Sequence, residues 1–362
     1  MTDWNQCKNI LCIRADNMGD LLMSSPAIRA LKESFGCRIT LLTSAMGNLI
    51  APFINEIDDT IVADLPWIKT KEPVTDNAIS TLIQTLRSYH FDGVVIFTVY
   101  SQSPLPAAML AYMAGIPRRL AYCRENPYHL LSNWMVEKEP YTFIQHQVQR
   151  DLNLVKFIHA ATEDQRIMIK ISDAAKIKAL KKLAAAGVDV TKNWLILHPG
   201  VSETKREYPE NEWVETGKLL RDQLSYQVVV TGSATENGLC KRIKQEIGAE
   251  AFSLAGALSV EEFLALISQS PLVISVNTGT VHIAAATQTP VIVLYALTNP
   301  QHIPWQVPSK VLYFSVKEDL RSKNEVVNYV SQKLMDKTTA IPSPQLVMEE
   351  AKKLLDAVNI KN

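Results

Sequence analysis

The sequence predicts an α/β protein made of two doubly wound, Rossmann-like domains in tandem. Short apolar, β-rich runs alternate with helix-period segments over nearly the whole chain, the pattern of parallel sheets with crossover helices. At 362 residues the chain exceeds one ordinary core, which argues for two domains. Its polar, glycine-bearing turns follow strands, at the carboxyl ends where open parallel sheets hold ligands.

In the first half, Ile10–Arg14 reads as a buried strand and Ala15–Asp20 as a polar turn. The next helix turns Leu22, Ile28, Leu31 and Phe35 inward, with Pro26 assigned to its first turn, where a missing N–H is tolerated. Strands are expected at Arg38–Thr43, Thr60–Asp64, Gly93–Thr98 and Arg119–Cys123, and helices at Ala78–Tyr89 and Leu105–Gly115. Arg124–Tyr141 has two prolines and no clear period, so it reads as a long loop. The amphipathic segment His146–His159, with Val148, Leu152, Val155 and Phe157 or Ile158 on its apolar side, reads as a bridge between the halves.

The second half is expected to restart with a strand at Ile167–Ile171, then a Lys- and Ala-rich helix ending near Gly187, a C-cap-like position. Strands follow at Trp194–His198, Gln227–Thr231, Leu272–Val276, Val291–Tyr295 and Val311–Phe314, with helices between them. An amphipathic helix over Pro344–Val358 closes the chain, its return onto the first domain left open. The predicted domains are residues 1–160 and 161–362.

Composition removes several classes. Lys plus Arg and Asp plus Glu both number 37, so no global field attracts nucleic acid. Five cysteines without a CxxC pair read as reduced thiols, and the histidines form no HxxH or HxxxH pair, so no metal is expected. The polar start predicts no signal peptide, and the apolar stretch from Leu105 to Ile116 falls short of the roughly 20 residues that span a bilayer. A cytoplasmic protein is expected, with peripheral contact at the inner membrane as the alternative to a freely soluble one. The 13 glycines never occur as GxG, and neither GxxxxGK[ST] nor GxSxG is present. That weakens a dinucleotide-binding dehydrogenase, a P-loop hydrolase and an α/β-hydrolase.

Three constellations remain. Gly19-Asp20 lies between the first strand and the first helix; Asp20 reads either as a base for a reacting hydroxyl or as a helix cap, with Asp16 competing for both roles. His198-Pro199-Gly200-Val201 through Lys205-Arg206 reads either as a diphosphate clamp, with backbone amides near Gly200 beside two cations, or as a solvated basic loop before a helix at Pro209. In Ser275–His282 a buried strand turns straight into a helix. Thr278-Gly279-Thr280 offers unpaired N–H groups and the positive dipole end to a diphosphate; the alternative is a plain Asn or Thr cap with His282 packed inside.

Together these segments resemble the bacterial lipopolysaccharide heptosyltransferases, glycosyltransferase family 9. Arg14 followed by Met18-Gly19-Asp20 and Pro26–Leu31 is similar to the family's N-terminal signature. His198-Pro199-Gly200 through Lys205 to Pro209–Trp213 is similar to its donor loop. Leu254-Ala255-Gly256, Ser259, Ala265–Ile267 and Ser275–Ala286, ending in Thr289-Pro290-Val291 and Asn299-Pro300, resemble its longest signature. The resemblance runs from about Ile10 to Trp305.

It implies a GT-B fold, two Rossmann-like domains facing a central crevice, with the acceptor on the first and a nucleotide diphosphate-sugar donor on the second. It also implies inverting, metal-independent transfer without a cofactor, favouring ADP-heptose as donor and a lipopolysaccharide-core or other cell-surface glycan as acceptor. Asp20 matches the family's proposed base and Lys205 its phosphate-binding lysine. Thr278, Gly279 and His282 match donor-phosphate residues, with Thr280 in the same helix start and Gly200 and Val201 in the donor loop. Glu236 matches the acidic residue that holds the donor ribose, and Leu258 an apolar contact near the base. Basic and aromatic residues in Met46–Phe53, Trp67–Lys71 and Arg124–Tyr141 are the segments expected to hold the acceptor. Two departures stand out: Asn277 replaces the family aspartate, and Ala296-Leu297-Thr298-Asn299-Pro300 replaces Gly-Pro-Thr-Asp-Pro. If the family carboxylate contacts the sugar, Asn277 alters donor choice or rate. Another nucleotide-sugar donor and a non-catalytic binding paralogue are the alternatives this leaves.

Overall fold

A computed structural model describes residues 3–70, 72–330, 333 and 339–359, and divides into two compact units, Met1–Lys170 and Ile171–Asn362. The first unit runs β1 (Asn9–Ile13), α1 (Met18–Phe35), β2 (Arg38–Thr43), α2 (Ala45–Asn48), β3 (Asp59–Val62), α3 (Asp76–Ser88), β4 (Gly93–Ile96), α4 (Leu105–Met113), β5 (Arg118–Cys123), β6 (Asn133–Val136) and α5 (Gln147–Lys156). Its sheet has the order β3-β2-β1-β4-β5-β6, all parallel.

The second unit runs α6 (Asp173–Ala185), β7 (Trp194–His198), α7 (Glu210–Leu224), β8 (Gln227–Val230), α8 (Asn237–Ile247), β9 (Ala251–Ser253), α9 (Val260–Gln269), β10 (Val273–Val276), α10 (Gly279–Ala286), β11 (Val291–Ala296), β12 (Ser309–Phe314), α11 (Glu325–Tyr329) and α12 (Pro344–Asn359). The order β12-β11-β10-β7-β8-β9, again all parallel, repeats the first sheet's winding. In each sheet the winding reverses between the first and fourth strands, β1/β4 and β7/β10, and ligands bind at that switch point in such folds.

The strands read as apolar runs because both sheet faces are covered. Leu11, Ile13, Val94 and Ile96 meet Leu82, Ile83 and Leu86 of α3 in one core. Leu195, Val228, Ile274 and Ile292 meet Trp213 and Ile243 in the other. All five cysteines are buried and unpaired. Among the described residues no helix is long and apolar enough to cross a membrane.

Several expectations are corrected. Helix α1 begins at Met18, so Gly19 and Asp20 belong to its first turn and Pro26 lies inside it. Proline removes the hydrogen bond to the carbonyl four residues back, that of Leu22. The Ser25 hydroxyl donates to that carbonyl at 2.8 Å and satisfies it. Part of the predicted loop Arg124–Tyr141 is an edge strand, with Leu120 of β5 opposite Asn133 of β6. Its flanking prolines lie outside the four paired residues. Ile167–Ile171 is not a strand; the Lys170 N–H donates to the Phe53 carbonyl at 2.8 Å. The sixth strand of the second sheet is the three-residue β9, too short to announce itself.

Two helices also sit differently. Helix α5 packs on α1 and β5 of its own unit, where the sequence suggested a bridge. Val148, Leu152, Val155 and Ile158 are buried as expected, while Phe157 is 42% exposed. Helix α12 packs on α7 and β11, with Val347, Met348, Ala351 and Leu355 joining the second core. Lys71, the end of one predicted acceptor segment, lies outside the described residues.

Candidate functional site

In the first unit the candidate residues gather where β1 feeds α1. Asp20 is the third residue of the helix, and its Oδ2 accepts the Asn17 N–H at 3.2 Å; the N-cap is Asn17, not Asp20 or Asp16, and Asp20 caps from the third position. Its Oδ1 accepts from Arg14 Nη2 at 3.2 Å, so one carboxylate both caps the helix and pairs with a cation. Arg14 is fully buried and lies 3.4 Å from Asp16 through Nε. Burial raises the Asp16 carboxyl above its ordinary range, against the pull of Arg14 and the Gln102 amide at 2.7 Å.

Beneath this turn lies a buried polar layer that amphipathicity did not reveal. Asp151 of α5 accepts from the Ser24 hydroxyl at 2.7 Å and from the Gln147 amide at 2.9 Å, and burial pushes its carboxyl up to about 6 against the pull of Arg14. Arg150, also buried, binds Glu139 at 2.9 Å and Glu137, and donates to the Thr98 carbonyl at 3.0 Å. Its guanidinium lies 4.2 Å over the Tyr122 ring. The one available signal was Arg14 itself, a cation closing an otherwise apolar strand. Among the described residues its Nη1 is buried without a hydrogen-bond acceptor.

In the second unit the candidates come from three neighbouring strand ends. Gly200 follows β7 and Glu236 follows β8, and the fold brings them together: a Cβ at Gly200 would run into the Glu236 carboxylate. That carboxylate accepts the Ser233 N–H at 2.6 Å. His198 closes β7, contacts the Thr231 hydroxyl at 3.0 Å and lies 5.3 Å from the Phe263 ring. Burial holds its imidazole down to about 4, opposed by Glu236, so it is neutral at physiological pH. Val201 packs against the second core.

Lys205 and Arg206 form a short 3-10 turn and pair with the two oxygens of Glu203, at 3.2 and 2.9 Å. Arg206 Nη1 also donates to the Asn277 carbonyl at 3.1 Å, which joins the second and third constellations physically. Thr278 is the N-cap of α10, and its N–H, expected to be unpaired, donates to the Val276 carbonyl at 2.8 Å; Gly279 and Thr280 form the first turn, whose N–H groups have no partner within the helix. His282 is buried one turn in, with its ring 6.1 Å edge-on to His302. Leu258 is half-buried in the turn from β9 to α9. The Asn277 side chain bonds to Ala296 and Thr298 at the end of β11. Among the described residues no group of three or more His, Cys, Asp or Glu side chains could hold a metal ion.

In the second unit, helix-start amides and two nearby cations suit an anion, and in the first unit the Asp20 carboxylate suits a proton. Comparison with known proteins agrees with the fold. The model of Glycosyltransferase family 9 (heptosyltransferase) matches residues 79–335, well over half of the chain. Lipooligosaccharide heptosyltransferase 2 of Haemophilus influenzae is 24% identical, with 96% of this chain and 99% of that protein covered. The solved Escherichia coli ADP-heptose lipopolysaccharide heptosyltransferase II superposes with a TM-score of 0.73 at 21% identity, covering 97% and 99% of the two chains. A second Escherichia coli heptosyltransferase, solved with ADP-2-deoxy-2-fluoro heptose, gives a TM-score of 0.63 at 17% identity, covering 91% and 99%. These structures share the GT-B fold, two parallel six-stranded sheets with covering helices.

Proposed function

Since the chain belongs to glycosyltransferase family 9, we propose that it moves a heptose from ADP-heptose to a hydroxyl of a lipopolysaccharide-core or related cell-surface glycan, by inverting, metal-independent displacement. The observation that carries this reading is the cluster at the second sheet's switch point. There the Lys205-Arg206 turn, the start of α10 and the Glu236 carboxylate over Gly200 converge from β7, β8 and β10. A solved relative with an ADP-heptose analogue supports the choice of donor.

In this mechanism the second unit binds the nucleoside diphosphate and the first supplies the base. Lys205 leaves Glu203 for the diphosphate, and together with the α10 amides it stabilises the charge that grows on the departing ADP. Glu236 holds the ribose hydroxyls, and Asp20 takes the acceptor proton. Steady-state transfer with ADP-, GDP- and UDP-sugars, in EDTA, tests the proposal. Turnover with ADP-heptose and a heptose-deficient lipopolysaccharide acceptor is expected; a preference for GDP- or UDP-sugars, or a need for Mg²⁺ or Mn²⁺, sinks the corresponding part.

Two substitutions separate the phosphate from the nucleoside. Lys205→Ala should weaken ADP binding by about 1.5–3 kcal/mol, as for a lost hydrogen bond to a charged group, and leave adenosine unchanged. Gly200→Ala should weaken both ligands similarly, because its Cβ displaces Glu236. The displaced carboxylate ends a flexible side chain, so the cost in stability should stay near the ~1 kcal/mol of a lost cap. Calorimetry with the two ligands and urea unfolding check the pair; equal losses in Lys205→Ala would assign it to loop displacement instead.

A further inference from the structure

Asn277 and the segment from Ala296 to Asn299 are the two places where the chain leaves the family pattern, and in the fold they touch. Asn277 Oδ1 accepts the Ala296 N–H at 3.2 Å, while Nδ2 donates to the Ala296 carbonyl at 3.3 Å and to the Thr298 hydroxyl at 3.1 Å. The Ala296 N–H needs an acceptor, and this fixes which way the amide faces. Both amide protons are therefore committed to the turn after β11.

An amide suits this partner because a backbone residue presents one donor and one acceptor. A carboxylate would keep the Ala296 N–H but set its second oxygen against the Ala296 carbonyl, acceptor to acceptor. At a residue only 8% exposed, water would do little to relieve that contact. The asparagine is thus matched to the local backbone.

The main chain of the same residue reaches the other way. The Asn277 carbonyl accepts from Arg206 at 3.1 Å, beside Lys205, and Thr278 immediately after it is the N-cap of α10. One residue thereby ties together the turn after β11, the start of α10 and the Lys205-Arg206 turn. We propose that Asn277 is a positioning residue for the diphosphate site, clamping the β11 turn through its amide so that the α10 amides and the Lys205-Arg206 turn stay in register, and that it does not read the donor sugar. This rests on the reading of the second unit as the donor side.

The test uses Asn277→Ala and the milder Thr298→Val, with ADP, adenosine and ADP-heptose as ligands and hydrogen exchange at the Ala296 amide read without ligand. Asn277→Ala should speed Ala296 exchange and weaken ADP about tenfold, the worth of one or two hydrogen bonds, while adenosine changes by less than about twofold. Thr298→Val, which replaces a hydroxyl by a methyl in a half-buried turn, should weaken ADP in the same direction but less. Because both variants open one clamp, the double variant should be no weaker than Asn277→Ala alone. Should Asn277→Ala fail to fold, Thr298→Val decides the matter, since wild-type ADP affinity in it overturns the proposal.

Ala296 exchange unchanged in Asn277→Ala removes the clamp. ADP bound as in wild type, with loss confined to ADP-heptose, returns the amide to the sugar. Wild-type protein that binds no ADP, with Ala296 released in the variant, sinks the donor-site reading and reduces Asn277 to fold support.

Discussion

Asp20→Asn lowers turnover by roughly 10²–10⁴-fold, the usual worth of a positioned general base, while ADP affinity stays within about twofold of wild type. Asp20 lies in the first unit and the nucleotide-binding candidates in the second, so the two quantities separate cleanly. The substitution is not silent for the fold. Asp20 takes donors on both oxygens, Arg14 on one and the Asn17 N–H on the other. Asparagine offers one acceptor, so its amide must face one of those donors, and a loss near 1 kcal/mol, that of a helix cap, is expected. Single-turnover rates at saturating donor, calorimetry with ADP and urea unfolding of the same preparation read the three effects. Turnover near wild type would dismiss Asp20 as base and bring forward Asp16, whose carboxyl burial already raises.

Arg150→Met destabilises the protein by about 3–5 kcal/mol, the cost of leaving buried charge uncompensated. Arg150 pairs with Glu137 and Glu139 at once, and those carboxylates are 9% and 1% exposed. The rest of the layer is built around those carboxylates: Glu137 accepts the Glu139 N–H at 2.9 Å and Glu139 accepts the Gln145 N–H at 2.8 Å. Losing the guanidinium therefore loosens the path from β6 into α5, and with it Asp151 under Ser24. Adding Glu137→Gln and Glu139→Gln to Arg150→Met should recover much of the loss, because neutral amides remove the unpaired charge. Urea midpoints of the single and triple variants check this. A single variant within about 1 kcal/mol of wild type would mean the carboxylates reach water or take up protons at little cost.

The candidate site was visible in the sequence where it depended on consecutive residues. Gly19-Asp20, the Gly200–Arg206 segment and Asn277–His282 are contiguous, and each lies at the carboxyl end of a strand as expected. What those residues do was visible only in part. Asp20 proved to be cap and ion-pair partner together, and the Asn277 amide proved to be bonded to the turn after β11. Helix α5 shows why: its spacing marked Val148, Leu152 and Val155 as core, yet Gln147, Arg150 and Asp151 on other faces are equally buried. Hydrophobic period identifies apolar faces, and a buried polar face leaves the same trace as a solvated one.

The sequence by itself determined the class of fold, the pairing of buried strands with amphipathic helices, and the segments that gather at strand ends. Those follow from side-chain period and turn chemistry, which act over a few residues. The tertiary structure alone decided that β6 and β9 join their sheets and that Ile167–Ile171 does not. It also decided that Pro26 sits within α1 and that Arg14, Asp151 and Arg150 are buried together beneath the Asp20 turn. Short edge strands and buried ions draw their stability from distant partners: Ser24 and Asp151, 2.7 Å apart, are separated by 127 positions along the chain. Local propensity carries no record of such a partner, because the hydrogen bond that offsets burial of the charge exists only once the sheet has brought the two helices together.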